Sequence, residues 1–232
     1  MKKHIPNAVT CFNLLSGCIG IVMAFNGELI LASYAIVIAA IFDFFDGFVA
    51  RLLKGYSDIG KELDSLADVV SFGVLPSVII YQLFLQAPQL GILSAYLNYS
   101  AFLIAIFSAL RLAKFNIDTR QDENFLGLPT PANALLIASL PFIVSGESLF
   151  LRDYILNAFF LFIFSLGMSI LLVLEIPLMS LKFKSMKMSD NVYRYILITA
   201  AFLLVLLFKF VAVPVVIFLY ILLSIIQFRF IK

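Results

Sequence analysis

The chain alternates long apolar runs with short polar turns. Eight runs stand out, at 8–26, 29–53, 60–84, 92–113, 131–146, 154–175, 191–208 and 214–230. Most approach the roughly 20 apolar residues that a helix needs to cross about 30 Å of hydrocarbon. The fifth is short and contains Pro141. The last two form a tight hairpin around Lys209 and Pro214, and Pro214 suits a first helical turn. The first run starts after Met1-Lys2-Lys3-His4, lacks a small-residue cleavage site and is too long for a signal peptide. The expected fold is all-α, a polytopic membrane bundle of about eight transmembrane helices. It forms a single membrane domain over 1–232 with no soluble domain, internal repeat or low-complexity tract.

Composition supports this reading. The chain is 63% hydrophobic and 13% charged with a mean hydropathy of +1.08, far from the balance of a soluble domain. A soluble enzyme, a disordered protein and a nucleic-acid-binding domain are excluded. The net charge of +2 is uninformative, but its distribution is not. With eight spans the two termini share a side. That side holds Lys2, Lys3, Arg51, Lys54, Lys61, Arg111, Lys114, Arg120, Lys182, Lys184, Lys187, Arg194, Arg229 and Lys232, while the other holds only Arg152 and Lys209. The positive-inside rule then puts both termini, and the polar stretches 114–125 and 182–194, on the cytoplasmic side of the inner membrane. Cys11 and Cys18 lie seven apart in one apolar run and read as small packing residues. Neither a disulfide framework nor a zinc site fits them. His4, the single histidine, reads as a headgroup-level residue. The Phe-rich stretches 159–164 and 202–210 read as lipid-facing.

Against this apolar background, six of the fourteen acidic residues fall between positions 43 and 68: Asp43, Asp46, Asp58, Glu62, Asp64 and Asp68. Positions three, four and seven apart share one face of a helix. Asp43, Asp46, Gly47 and Ala50 follow that spacing on the second helix, and Gly60, Asp64 and Asp68 follow it on the third. A short turn pairs the two helices antiparallel, so four carboxylates converge on one groove. Asp43 lies fourteen residues after Leu29, about 21 Å along a helix axis, which places the group in the cytoplasmic leaflet. One charged Asp in a membrane helix costs roughly 2.5–3.5 kcal/mol, and four also repel one another. Cations relieve both penalties. Oxygen donors without His or Cys point to Mg2+, Mn2+ or Ca2+. Two such ions about 4 Å apart suit phosphoryl chemistry.

The spacing D-x-x-D-G-x-x-A-R-x8-G-x3-D-x3-D, here Asp43, Asp46, Gly47, Ala50, Arg51, Gly60, Asp64 and Asp68, resembles the motif of the CDP-alcohol phosphatidyltransferase family without departure. The resemblance implies dimeric membrane enzymes with a six-helix core that displace CMP from a CDP-linked lipid with an alcohol. By the same resemblance, Asp43, Asp46 and Asp64 hold two divalent cations. Asp68 is the general base and touches one of the ions. Gly47, Ala50, Arg51, Ser57 and Gly60 contact the CDP portion. Pro6-Asn7-Ala8-Val9-Thr10 resembles a family segment lying against the nucleotide, which adds Asn7 and Thr10. The catalytic core is expected over 1–150, with additional transmembrane helices over 151–232.

Two further segments, Leu110-Arg111-Leu112-Ala113-Lys114-Phe115-Asn116 and Phe125-Leu126-Gly127-Leu128-Pro129-Thr130-Pro131, resemble stretches of the phosphatidylserine synthase branch of that family. The branch implies CDP-diacylglycerol and L-serine as substrates. Arg111, Lys114, Asn116, Gly127, Pro129 and Thr130 are the candidate serine contacts, with Arg111 on the carboxylate. Several have a plainer alternative: a topological anchor for Arg111 and Lys114, a helix cap for Asn116, and a helix entry for Pro129 and Pro131. Lys182, Lys184, Lys187 and Arg194 anchor the topology or hold anionic lipid. Other acceptors of the same fold, glycerol phosphate or inositol phosphate, stay open, because Arg111, Lys114 and Arg120 can supply cations. A cation transporter with an intramembrane carboxylate site is the rival of another class. It predicts acids near the bilayer midplane on several helices, whereas these crowd one end of two adjacent helices.

Overall fold

A computed structural model describes residues 4–55, 57–88, 96–117, 125–180 and 191–230. Among the described residues, nine helices run in the order α1 (His4–Phe25), α2 (Leu29–Leu53), α3 (Asp58–Gln86), α4 (Asn98–Ile117), α5 (Thr130–Val144), α6 (Leu149–Ile155), α7 (Ala158–Val173), α8 (Val192–Phe208) and α9 (Val213–Phe230). Five helical stretches among the described residues are long and apolar enough to cross a membrane, six if the bent pair α6–α7 is one span. The expected all-α polytopic bundle is present. Most of the stretches 114–125 and 182–194, with Arg120, Lys182, Lys184 and Lys187, lies outside the described residues, as do Lys2, Lys3 and Lys232.

Small residues let α1 sit close to its neighbours. Its buried positions are Pro6, Thr10, Asn13, Gly17, Gly20 and Ala24, a strict alternation of steps of four and three. A Cβ on Gly20 would lie 2.5 Å from Leu75 Cδ2 and 2.8 Å from Ala35 Cβ, and one on Gly17 2.5 Å from Ser71 Oγ. In lipid, helices gain little hydrophobic energy from touching, so such backbone approach and the dispersion it allows hold them together. The α1–α2 turn uses Gly27 at φ +82, and α2 ends on Lys54 in the left-handed region. Ser57 then caps α3 by accepting from Gly60 N at 3.1 Å.

Helix α3 is continuous but not uniform. A π turn occupies Val69–Val74, directly after Asp68 and just before Pro76. Pro76 has no N–H, and its ring crowds the carbonyl four residues back; a widened turn accommodates both. Phe72 within it, and Leu75, Ile79, Ile80, Leu83 and Phe84 behind it, are fully buried and form the centre of the main core with Ala32, Ile36, Ile104 and Ile137.

Several boundaries differ from expectation. The described part of the fourth span starts at Asn98 and runs to Ile117, so Arg111, Lys114 and Asn116 lie inside the helix. The sixth span breaks at Leu156 and bends by 66° between α6 and α7. The cause is local: Asn157 caps α7 by accepting from Phe159 N and Phe160 N at 3.0 and 3.1 Å. A short antiparallel pair, β1 (Phe125–Leu126) with β2 (Pro177–Leu178), was not expected. Cys11 and Cys18 are free and exposed on the outer face of α1 rather than packed inside. Phe159, Phe202 and Phe208 face outward as expected, but Phe160, Phe162 and Phe164 pack on the core and Phe210 stacks on Phe142 at 4.5 Å.

The last apolar stretch folds back at Lys209, whose φ is +52. Both arms return to one place: Arg194 Nε on α8 donates to Ser180 O at 2.7 Å, and Ser224 Oγ on α9 accepts from Met179 N at 3.1 Å. A second buried cluster of Leu128, Met168, Leu178, Met179, Leu197, Ile217, Tyr220 and Leu223 fills the space between. Packing therefore runs across residue 150, since Leu128 joins this cluster while Ile155, Leu156 and Leu161 join the main one.

Candidate active site

Both α2 and the start of α3 pack on α1, and this brings their acidic faces together. Carboxylate oxygens of Asp43, Asp64 and Asp68 lie within 4.8 Å of one another. At that separation each charged pair repels by about 3–4 kcal/mol at an effective dielectric of 20. Hydrogen bonding relieves little of this. Asp64 Oδ1 and Asp46 Oδ2 are buried with no hydrogen-bond partner. The donor set is all oxygen, anionic and short of partners, which fits a hard divalent cation. Asp46 stands one turn beyond Asp43 and is buried, with Thr10 and the Gly47 backbone N–H beside its carboxylate.

A cleft of about 210 Å³ opens beside Asp46 and Asp64. Its lining contains Asn7, Thr10, Gly47, Ala50, Ser57 and Gly60, so six of the seven residues expected at the CDP portion meet in one place. Gly60 is crowded, whereas Gly47 has room for a side chain. A Cβ on Gly60 would lie 2.9 Å from Asn7 Oδ1 and 3.0 Å from Ser57 Oγ, and one on Gly47 would face the cleft, 4.0 Å from Arg51 Nη1. Arg51, the seventh, is exposed at the lip.

Asp68 is buried at the inner end of the groove, and Asn13 Nδ2 donates to its Oδ1 at 3.1 Å. Asn13 is itself fully buried, and its backbone oxygen accepts from Ser71 Oγ at 3.0 Å. The sequence reading missed Asn13. Its signal is present in hindsight: a polar side chain on the small-residue stripe of α1, one turn from Thr10.

The acceptor candidates divide. Arg111 is 6% exposed, lies close enough to Asp68 to interact electrostatically, and leaves Nε and Nη2 without partners. Thr130 Oγ1 is buried and unpartnered in the first turn of α5, and so are both side-chain atoms of Asn133, a residue the sequence reading did not single out. Lys114 is exposed instead. Asn116 Nδ2 donates to Ser65 Oγ at 2.9 Å and the Asn116 backbone carbonyl accepts from Lys61 Nζ at 2.9 Å, so it ties α4 to α3. Gly127, at φ +76, lies where a Cβ would be 2.5 Å from Leu172 O, and Pro129 precedes the first turn of α5. Both shape the loop.

Comparison with known proteins agrees with this geometry. The sequence profile of the CDP-alcohol phosphatidyltransferases matches residues 3–179. A CDP-diacylglycerol–serine O-phosphatidyltransferase of Helicobacter pylori is 34% identical over 195 residues, 83% of this chain and 78% of that one. One of Bacillus subtilis is 39% identical over 141 residues, 60% of this chain and 76% of that one. An archaetidylserine synthase of Methanothermobacter thermautotrophicus is 38% identical over 138 residues, 58% of this chain and 56% of that one. The profile covers most of the chain and includes every residue of the acidic groove and its cleft: the protein belongs to the CDP-alcohol phosphatidyltransferase family.

Proposed function

We propose that the protein transfers the phosphatidyl group of CDP-diacylglycerol to the hydroxyl of L-serine, giving phosphatidylserine and CMP. The observation that carries serine is Arg111. A buried guanidinium with two unpartnered nitrogens beside the groove suits one carboxylate, which it can hold through two parallel bonds. The relatives' names, which share serine as acceptor, support the same reading. Among the described residues Arg111 is the only buried Lys or Arg. A phosphate-bearing acceptor would want a cluster.

The family is divalent-metal dependent in general. We assign two cations, Mg2+ or Mn2+ with Ca2+ as another occupant, to Asp43, Asp46, Asp64 and Asp68; bound there, they would neutralise the diphosphate and polarise the reacting phosphorus. The chain's own residues do the rest. The cleft formed by Asn7, Thr10, Ser57 and Gly60 seats the cytidine portion, and Arg51, whose Nη1 would lie 4.0 Å from a Cβ on Gly47, clamps the diphosphate. Arg111 and Thr130 orient serine. Its oxygen attacks the phosphorus linked to diacylglycerol, that phosphorus loses its bond to the bridging oxygen, and CMP leaves with the electron pair. Asp68, held by Asn13, accepts the serine proton.

An acceptor panel tests this. Purified protein with CDP-diacylglycerol and Mn2+ is given serine, glycerol phosphate or inositol phosphate in turn. Only serine is expected to release CMP above background, and Arg111→Ala is expected to raise the KM for serine at least tenfold. CMP release with a phosphate-bearing acceptor, and none with serine, would sink the reading.

We infer that the site and both termini lie on the cytoplasmic side of the inner membrane and that the protein is a homodimer. Basic residues support the side: fourteen of sixteen fall there if α6–α7 is one span, α5 another, and α8 and α9 two more, giving eight passes. With Cys11 and Cys18 replaced, a cysteine at position 185 should resist a membrane-impermeant thiol reagent in intact cells and one at Glu147 should react. The opposite pattern means that the bundle is inverted.

A further inference from the structure

The nucleotide side of the site is built by α1–α3 alone, whereas the acceptor side leans on the C-terminal helices. Gly127 N donates to Ile176 O at 3.0 Å and Leu128 N to Leu171 O at 2.9 Å. The pair Phe125↔Leu178 and Leu126↔Pro177 extends this attachment. The loop over 125–129, which leads into Thr130, is thus bonded along its length to residues 171–178. That segment is in turn held from α9. Tyr220 Oη donates to Met179 O at 3.0 Å, Met179 N donates to Ser224 Oγ at 3.1 Å, and Ser224 Oγ donates back to Tyr220 O at 2.8 Å. Met179 is fully buried, and Tyr220 is 7% exposed. Leu128 packs in the same cluster as Leu178, Met179 and Tyr220. Tyr220 also lies near enough to Arg111 to interact electrostatically. Residues 191–230 lie beyond the segment that the family profile matches, 3–179.

We propose that α9, through Tyr220 and Ser224, is a positioning element for the acceptor half of the site: it locks Met179 and strand β2, β2 locks the loop that opens α5, and the arrangement sets the affinity for serine. Tyr220 and Ser224 touch neither substrate. The inference rests on serine being the acceptor. It deepens that reading by dividing the molecule: α1–α3 determine CDP-lipid affinity, and the C-terminal hairpin determines acceptor affinity.

The test is a KM split. Tyr220→Phe removes only the hydroxyl that holds Met179 O, and Ser224→Ala removes the acceptor for Met179 N. Each variant removes one anchor of the segment that holds the acceptor loop, so each is expected to raise the KM for serine about three- to tenfold. The KM for CDP-diacylglycerol and kcat at saturating serine should stay within about twofold. Ser33→Ala, which breaks a buried bond to Leu29 O in α2, serves as the control and should change neither KM. Thermal unfolding in detergent checks that all three are folded. An unchanged serine KM in both variants, or a rise in both KM values together, overturns the inference while wild-type turnover with serine leaves the acceptor reading standing. Absence of wild-type turnover with serine overturns the acceptor reading, and this inference falls with it.

Discussion

Asp43→Asn and Asp64→Asn are each expected to lower turnover by on the order of 10³ or more while leaving the protein folded. Each removes one anionic oxygen from a set whose ligand atoms lie within 4.8 Å. A divalent cation on a reacting phosphoryl group contributes several kcal/mol of charge stabilisation, and each 1.4 kcal/mol is a factor of about ten in rate. Chelation by EDTA should reproduce the loss in the wild type, and excess Mn2+ should restore it. Asp58→Asn and Glu62→Gln belong to the same acidic segment but are exposed, and both should retain activity. A second readout does not depend on turnover. Without metal the three carboxylates repel, so either Asn variant should raise the metal-free unfolding temperature. The wild type should gain stability on adding Mn2+ in proportion to RT ln(1 + [L]/Kd), and the variants should lose most of that gain. Full activity in EDTA, or Mn2+ stabilisation that survives both substitutions, would show that the ions bind elsewhere.

The groove was legible because its two constraints are local. Helical spacing alone puts Asp43 and Asp46 on one face of α2 and Asp64 and Asp68 on one face of α3. The short connection between them keeps these two faces at one end of the bundle, where both helices pack on α1. The cleft residues were legible only through the resemblance to the family motif, not through helical spacing. What stayed hidden depends on partners remote in sequence. Asn13 is 55 residues from Asp68, and nothing near it in the chain marks which helix it faces. Tyr220 sits 41 residues from Met179 in a helix that is apolar all round, where periodicity carries no facing information. The β1–β2 pair involves two residues on each side, too few to show an alternating pattern. Asn116 illustrates the converse. Its place beside Arg111 and Lys114 suggested a substrate contact, but the long-range bonds with Ser65 and Lys61 make it a tie between helices.

The base prediction separates two roles that the geometry combines in one residue. Asp68 belongs to the carboxylate triad and also sits at the buried end of the groove, with Asn13 donating to Oδ1. Asp68→Asn keeps the size and the polar contact but loses the proton acceptor and the charge. If proton acceptance dominates, kcat should fall by on the order of 10²–10⁴, with CDP-diacylglycerol affinity across a Mn2+ titration near that of the wild type. If ligation dominates, affinity should fall with rate, and excess metal should recover both. The first pattern is expected. Asp43 and Asp64 remain to hold the ions at the nucleotide end, whereas Asp68 is the carboxylate that reaches inward, close to Arg111, where serine would bind. Both quantities are to be measured on one preparation, with serine saturating. A variant that keeps near wild-type kcat, or one whose whole defect excess metal repairs, means that another group takes the proton.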